Sequence, residues 1–305
     1  MKIEENIKKA NAVTHAGVFH ADEVFASVVL DTVLKEGLSL ARTFKIPDDI
    51  SDDVIVYDIG FGKYDHHQKD AARRSPEHKY AAFGLIWRDY GTMYLASLGV
   101  PLATARELSD IIDKKFVSMI DALDNGETPD NFYPFNPAPF ISICNPNWDE
   151  TDKNENVAFL TATRYADNFL RKIVNSELSK LKAKTIVDKA IEVAGDRILF
   201  LSCFVPWQEH LFNNEAGKDI LFTIFPNKRG GWAAQCVPTE PGSFEQKCPV
   251  PVEWRANPAA TGIEGCNFVH ASGFIAGFDT VEGAYTYCRK AIAEFERRKD
   301  AQEEA

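Results

Sequence analysis

The sequence contains no long apolar run: its 305 residues include nothing near the ~20 consecutive apolar side chains that a membrane-spanning helix needs. Basic residues are also in the minority, since 34 Lys and Arg stand against 45 Asp and Glu, for a net charge of −11. Proteins that coat duplex nucleic acid non-specifically rely on Lys and Arg to neutralise phosphates, so this class is disfavoured. A local pocket for a phosphate remains compatible with the composition.

Closely spaced cysteine pairs are missing as well, because the 6 cysteines are spread over the second half without a C-x-x-C motif. Residues 1–14 contain no apolar segment of the kind found in secretory signals. We therefore expect reduced thiols in a cytoplasmic protein. The motifs H-E-x-x-H, G-x-S-x-G, the Walker loop and G-x-G-x-x-G are also absent, which disfavours zinc proteases, α/β-hydrolases, P-loop enzymes and dinucleotide oxidoreductases.

The hydrophobic pattern of the first half alternates between strand and helix signals. Strand-like runs lie at 12–15, 40–46 and 54–57, and helical spacing of apolar residues occurs over 24–33, 81–98 and 102–123. This alternation predicts an α/β fold with a doubly wound, mostly parallel sheet. The continuous run at 54–57 is typical of a strand buried on both faces.

The character of the chain changes after this half. A proline-rich irregular segment is followed by a long helical pattern, then by short strand-like runs and a closing helix. We predict an α/β domain at 1–150, a helical linker at 151–194 and a smaller α+β domain at 195–305.

Histidine is scarce, with 7 in the chain, yet His15 and His20 lie together in the first strand-to-helix junction. His15 would end the strand, and His20 and Asp22 would open the helix, at the sheet edge where open α/β sheets place ligands. For Asp22 alone, a role in stabilising the helix N-terminus is the structural alternative.

Three further motifs fall at strand or helix ends: Asp58, then Asp65-His66-His67, then Asp121 with Asp124. Taken singly, each has a structural alternative, namely a turn residue, a surface or core histidine pair, and a solvated helix end. Taken together, imidazoles and carboxylates without cysteine favour Mn²⁺, Mg²⁺ or Fe²⁺ over structural zinc. More than four candidate ligands indicate two metals, about 3.5–4 Å apart, as used for in-line displacement at phosphorus.

The order of these motifs resembles that of the DHH phosphoesterase superfamily. More closely, the chain is similar to the MYG-type (melanocyte proliferating gene one) family, through the stretches THAGVFHADE, VYDIG, YDHHQ, FGLIWRDYG, DALDNG, PVEWR and GIEGCNFVHASGFIAG. The resemblance implies a DHH-like two-metal domain, a linker and a C-terminal substrate domain. Members of this family are regarded as metal-dependent hydrolases, and the eukaryotic ones as exonucleases acting on RNA.

Position by position, the resemblance implies the following ligand sets. One metal would be held by His15, His20 and Asp58, and the other by Asp22, Asp58, His66 and Asp121. Asp58 would bridge the two ions, and His67 would face the scissile phosphate. The implied cofactors are two divalent cations, with Mn²⁺ preferred and Mg²⁺ as the alternative.

The second half adds Arg255, which follows Trp254, and His270 in the glycine-flanked run 265–277. A guanidinium and an imidazole beside glycine-rich backbone suit a phosphate, whereas plain packing of Arg255 is the structural alternative. We predict a metal-dependent phosphodiesterase, an exonuclease on single-stranded or short oligonucleotides, with Asp58 and His67 in the chemistry and His67, Arg255 and His270 binding substrate.

Two alternatives stay open: a phosphatase for small phosphate esters, nucleotides or pyrophosphate on the same metal centre, and a non-enzymatic nucleotide-binding protein. Homodimer formation, the choice between RNA and DNA and the direction of degradation are also left open by the sequence.

Overall fold

The computed structural model describes residues 1–130 and 133–303, and the chain divides into two compact units, Met1–Leu178 and Ser179–Ala305. The first contains a parallel sheet with helices and the second a mixed sheet with a closing helix, which confirms the predicted α/β class. Within the described ranges, no helix is both long and apolar enough to cross a membrane.

A four-stranded, fully parallel sheet forms the first unit, in the order β1-β3-β2-β4. Its strands are β1 (Lys2–Ile3), β2 (Ala12–His15), β3 (Ser39–Thr43) and β4 (Ile55–Val56). Because β4 lies at the edge of the sheet, its two residues are half-buried, rather than buried on both faces as the apolar run indicated. The carboxyl ends of β2 and β4, which are hydrogen-bonded neighbours, carry His15 and Asp58.

Helices of the first unit pack through an aromatic cluster. The helices are α1 (Ala21–Val33), α2 (Ala82–Ser97), α3 (Leu102–Ile112), α4 (Ser118–Asp124) and α5 (Ala138–Ser142), and a π-helical segment (Asp113–Val117) joins α3 to α4. The Phe25 ring of α1 lies 5.3 Å from those of Phe83 in α2 and Phe116 in the π-helical segment. These contacts hold together the helices whose ends carry the candidate ligands.

The segment predicted as a linker is one long helix, α6 (Glu155–Glu192), which begins in the first unit and ends in the second. Phe159 and Leu170 are fully buried. Val187 and Ile191 belong to a core cluster of the second unit. The helix therefore contributes apolar side chains to the core of each unit.

The second unit has a five-stranded sheet in the order β5-β6-β7-β9-β8, antiparallel except for β5 and β6. Its elements are β5 (Ile198–Phe200), α7 (Gln208–Phe212), β6 (Phe222–Pro226), β7 (Trp232–Cys236), β8 (Cys266–Val269), β9 (Ile275–Phe278) and α8 (Val281–Glu303). Tyr287 of α8 packs on the sheet, with its ring 5.1 Å from that of Phe278. The chain turns between β6 and β7, where the Asn227 N–H donates to the Gly231 carbonyl at 2.9 Å.

Candidate metal centre

Asp58 lies between two imidazoles at the end of β4. Its Oδ2 is 3.2 Å from His15 Nε2, and its Oδ1 is 3.1 Å from His66 Nε2. The backbone of Asp58 has a φ of 56°, in the left-handed region, where Asp and Asn are tolerated better than most residues. This conformation turns the chain at the strand end, and the carboxylate is 4% exposed.

Other potential ligands surround this carboxylate. Among the described residues, ligand atoms within 4.8 Å of one another occur in the overlapping groups His15, His20 and Glu23; Asp58, His66 and His67; His20, Asp22 and Asp124; and Asp22, Glu23 and Asp58. The structure thus brings together the predicted residues His15, His20, Asp22, Asp58 and His66. Glu23 and Asp124 join them, although the sequence analysis assigned neither to a metal.

The first turn of α1 supplies two buried carboxylates. Glu23 Oε1 accepts the backbone N–H of His20 at 2.8 Å, as in a capping box, and lies 3.0 Å from His15 Nε2. Both oxygens of Asp22 and Oε2 of Glu23 are buried with no hydrogen-bond donor among the described residues. Burial of ionised carboxylates without a partner is costly, and a divalent cation would satisfy them. The mixed oxygen and imidazole donors therefore fit a divalent cation.

The electrostatics of the cluster reflect this crowding. Burial, followed by repulsion from Asp58 and Glu23, raises the pKa of Asp22 well above its usual range. Burial alone would lower the pKa of His15, but hydrogen bonds to Asp58 and Glu23 raise it to about 10. The pKa of His66 is raised to about 9 because its bond to Asp58 outweighs burial. The crowded carboxylates thus favour positive charge on both neighbouring imidazoles.

His67 is held by a buried neighbour. Its Nδ1 donates to Asp65 Oδ1 at 2.7 Å, and its side chain is 56% exposed. The rings of His66 and His67 lie 4.3 Å apart, so they are not on opposite sides of an extended chain as adjacent residues of a strand would be. One imidazole is buried against Asp58 and the other faces outward beside it.

Asp121 does not join any of the ligand groups formed by the described residues. Its Oδ2 accepts Arg74 Nε at 2.7 Å, and its Oδ1 accepts the Gly84 N–H at 2.9 Å. Arg74 also pairs with both oxygens of Asp113, at 2.7 and 2.9 Å. A Cβ on Gly84 would fall 1.8 Å from Asp121 Oδ2, so only glycine allows this approach. Asp121 thus anchors α4, and Asp124, one turn later, lies with His20 and Asp22.

Two asparagines support the cluster from outside. Asn125 Oδ1 accepts His66 Nδ1 at 3.2 Å, and Asn125 Nδ2 donates to the Tyr80 carbonyl at 3.1 Å. Asn145 bonds both backbone groups of Phe19, at 3.0 and 2.8 Å, and so fixes the loop between His15 and His20. No periodicity in the sequence indicates either role.

Comparisons with known proteins agree with these motifs. The family described as "Uncharacterised protein family (UPF0160)", labelled MYG1 exonuclease, has a sequence model that matches residues 11–292. The chain belongs to the MYG1 exonuclease family. "MYG1 exonuclease" of Homo sapiens is 32% identical over 92% of this chain and 85% of its own. "MYG1 protein C694.04c" of Schizosaccharomyces pombe is 31% identical over 92% and 96%.

The similarity extends to more distant family members. "MYG1 protein YER156C" of Saccharomyces cerevisiae is 28% identical over 96% of this chain and 98% of its own. No solved structure matches the chain significantly. The predicted MYG-type resemblance is confirmed, and membership of the wider DHH superfamily stays a prediction.

In this MYG1 family member, His270 begins the turn between β8 (Cys266–Val269) and β9 (Ile275–Phe278) of the second unit, and Arg255, which follows a short helical turn at Val252–Trp254, packs its side chain against Gly273 of that turn. Arg255 Nη2 donates to the Val250 carbonyl at 3.3 Å, and Arg255 Nε would lie 3.3 Å from a Cβ on Gly273. The Gly273 N–H donates to the His270 carbonyl at 2.8 Å. Arg255 Nε is buried without a hydrogen-bond partner among the described residues.

Proposed function

We propose that the chain is a divalent-metal-dependent phosphodiesterase, an exonuclease that hydrolyses single-stranded or short oligonucleotides, with RNA preferred. The observation that carries this proposal is the convergence of imidazoles and buried carboxylates on Asp58. They line a cleft of about 1370 Å³ in the first unit, larger than the roughly 300–1,000 Å³ of small-molecule sites. The human relative is named an exonuclease, and this name supports the same reaction class.

The proposed cofactors are two divalent cations, Mn²⁺ before Mg²⁺. One ion would be held by His15, His20 and Asp58, and the other by Asp22, Asp58, His66 and Asp124, the last in place of Asp121. When bound, such ions supply positive charge to phosphate oxygens and make an attacking water more acidic.

The chain's own residues position the substrate. Asp58 places Oδ2 beside His15 and Oδ1 beside His66, so it could contact an ion held by either imidazole. Asp65 holds the His67 ring through Nδ1, which leaves Nε2 to face a phosphate oxygen. Arg255 and His270 of the second unit would bind a more distant phosphate, where a guanidinium forms charge-assisted hydrogen bonds.

The experiment is a product analysis with metal-stripped protein reconstituted with Mn²⁺. End-labelled RNA and DNA oligonucleotides of one sequence, mononucleotides and pyrophosphate are offered separately. We expect mononucleotides from the oligonucleotides, faster from RNA. Release of orthophosphate only from nucleotides or pyrophosphate would show that the activity is that of a phosphatase instead. Binding without any cleavage would replace it by a nucleotide-binding protein.

A further inference from the structure

Two phenylalanines are exposed in the cleft that holds the candidate metal ligands. Phe44 follows β3 and is 80% exposed, and Phe61 lies just beyond β4 and is 72% exposed. Both line the same cleft as His15, Asp58 and His66. Exposed apolar side chains that line one cleft together with polar groups are typical of a binding surface.

The backbone holds Phe61 in a conformation that it does not favour. Its φ is 57°, a genuine outlier for a bulky residue, and it follows Asp58 and Gly60, which also have positive φ. The Phe61 N–H donates to Asp65 Oδ2 at 2.6 Å. The other oxygen of Asp65 holds His67 at 2.7 Å. One buried carboxylate therefore fixes both the exposed aromatic residue and the imidazole proposed to face the phosphate.

Phe44 covers the other ligand-bearing loop. A Cβ on Gly17 would lie 3.2 Å from Phe44 Cε1, so the ring packs against the chain between His15 and His20. Gly17 has a φ of 89°, and its carbonyl accepts Arg42 Nη2 at 2.7 Å. Each aromatic ring thus stands on one of the loops that supply ligands.

The cleft also contains positive charge. Lys45 and Lys79 line it and are exposed, and neither has an ion pair within the described part of the chain. In a protein of net charge −11, two unpaired cations beside exposed aromatic rings favour an anionic ligand with flat apolar groups. A single-stranded nucleic acid has this chemistry, because each phosphate carries charge and every base has a π-face.

We propose that Phe44 and Phe61 form a stacking subsite for the unpaired bases next to the scissile phosphate, with Lys45 and Lys79 binding the flanking phosphates. This inference rests on the proposed function, and it assigns the preference for single-stranded substrate to these four side chains. Stacking is tolerant of sequence, because all bases offer a π-face. A duplex presents bases that are already stacked, so the subsite favours single strands.

Binding to two short RNAs with phosphorothioate linkages tests the subsite: one carries bases, and the other is abasic at every position. Wild-type protein should bind the base-containing RNA at least about tenfold tighter, since stacking contributes about five- to a hundred-fold per base. Phe44→Leu should weaken binding of the base-containing RNA by about that factor and leave the abasic RNA unchanged. Phe44→Tyr should keep the preference.

Phe61→Gly is the second variant, because the left-handed backbone accommodates glycine and the fold is kept. Phe140→Leu is the matched control: it is 42% exposed in the same unit but does not line the cleft. Equal binding of both RNAs by wild type, or equal loss of both in the variants, would overturn the inference while oligonucleotide cleavage still supports the function. Base-dependent binding without cleavage would remove the proposed function and keep the subsite.

Discussion

Asn125 accepts a hydrogen bond from His66 Nδ1 at 3.2 Å and leaves His66 Nε2 facing Asp58 Oδ1 at 3.1 Å. The amide thereby selects which ring nitrogen points to the candidate metal centre. Such outer partners orient a ligand, and their loss costs about 10–100-fold in metal affinity.

Asn125→Leu should therefore weaken Mn²⁺ binding by about 10–100-fold, measured by calorimetric titration of metal-free protein. Asn136→Leu is the control, since Asn136 lines the same cleft but bonds only the Ala138 N–H among the contacts described. Equal affinities of the two variants would show that Asn125 does not orient His66.

Asp58→Asn should remove most of the bound metal and lower oligonucleotide cleavage by orders of magnitude, because metal catalysis supplies several kcal/mol of transition-state stabilisation. Asn tolerates the left-handed backbone at this position, so the circular dichroism spectrum should be unchanged. Asp53→Asn, an exposed position before β4, serves as the matched control. Near-normal turnover of the Asp58 variant would mean that Asp58 only forms the turn after β4 and does not hold a metal.

Asp121 and Asp124 should respond differently to the same change. Asp121→Asn removes the buried charge that pairs with half-buried Arg74 and should lower the free energy of unfolding by about 3 kcal/mol, with metal stoichiometry kept. Asp124→Asn should lower metal binding with little effect on the stability of metal-free protein. Urea unfolding and elemental analysis measure the two effects. Metal loss in the Asp121 variant alone would restore the ligand set first drawn from the sequence.

Asp22→Asn should stabilise the metal-free protein by on the order of 1 kcal/mol, because it removes one of several buried, mutually repelling carboxylates. Added Mn²⁺ should raise the melting temperature of wild type through preferential binding to the folded state, and it should do so far less in the variant. Asp52→Asn, fully outside the cluster, should behave as wild type. A variant that is less stable without metal would mean that Asp22 caps α1 instead.

Arg255→Ala and His270→Ala should each raise KM for an oligonucleotide by about ten- to a hundred-fold, the equivalent of a lost charge-assisted hydrogen bond. Metal content should stay the same, and an aryl phosphodiester, which lacks a second phosphate, should be affected less. Arg229→Ala, an exposed arginine of the β6–β7 turn, is the control. Normal kinetics on both substrates would mean that Arg255 and His270 do not bind substrate and serve only in packing.

Much of this arrangement follows from residue order alone. Strand-to-helix junctions place His15, His20 and Asp22 at the same sheet edge as Asp58, because the ends of parallel strands converge. Asp121 and Asp124 are three residues apart on one helix, so their spacing does not distinguish ligand from anchor. The distinction comes from Arg74, which lies in an irregular segment and reaches α4 through space.

Other features had no signal in the sequence. The sequence does not assign Glu23 to the metal centre, yet Glu23 both accepts the His20 N–H and contacts His15. The strands β8 and β9 are four residues each and contain or adjoin glycine, which hides the alternation that marks a strand. The continuous helical pattern of α6 likewise gives no indication of where one core ends and the next begins.

The left-handed backbone at Asp58 limits which residues can ever occupy that position. Glycine adopts this conformation readily, and asparagine, aspartate and histidine are the other residues enriched in it. Among them, only aspartate carries a carboxylate. In a saturation library sorted first for folding and then for turnover, the folded set would be enriched in these residues and the active set in aspartate. Exchange of this ligand for glutamate therefore carries a backbone cost, which makes an altered metal preference easier to reach through the other ligands.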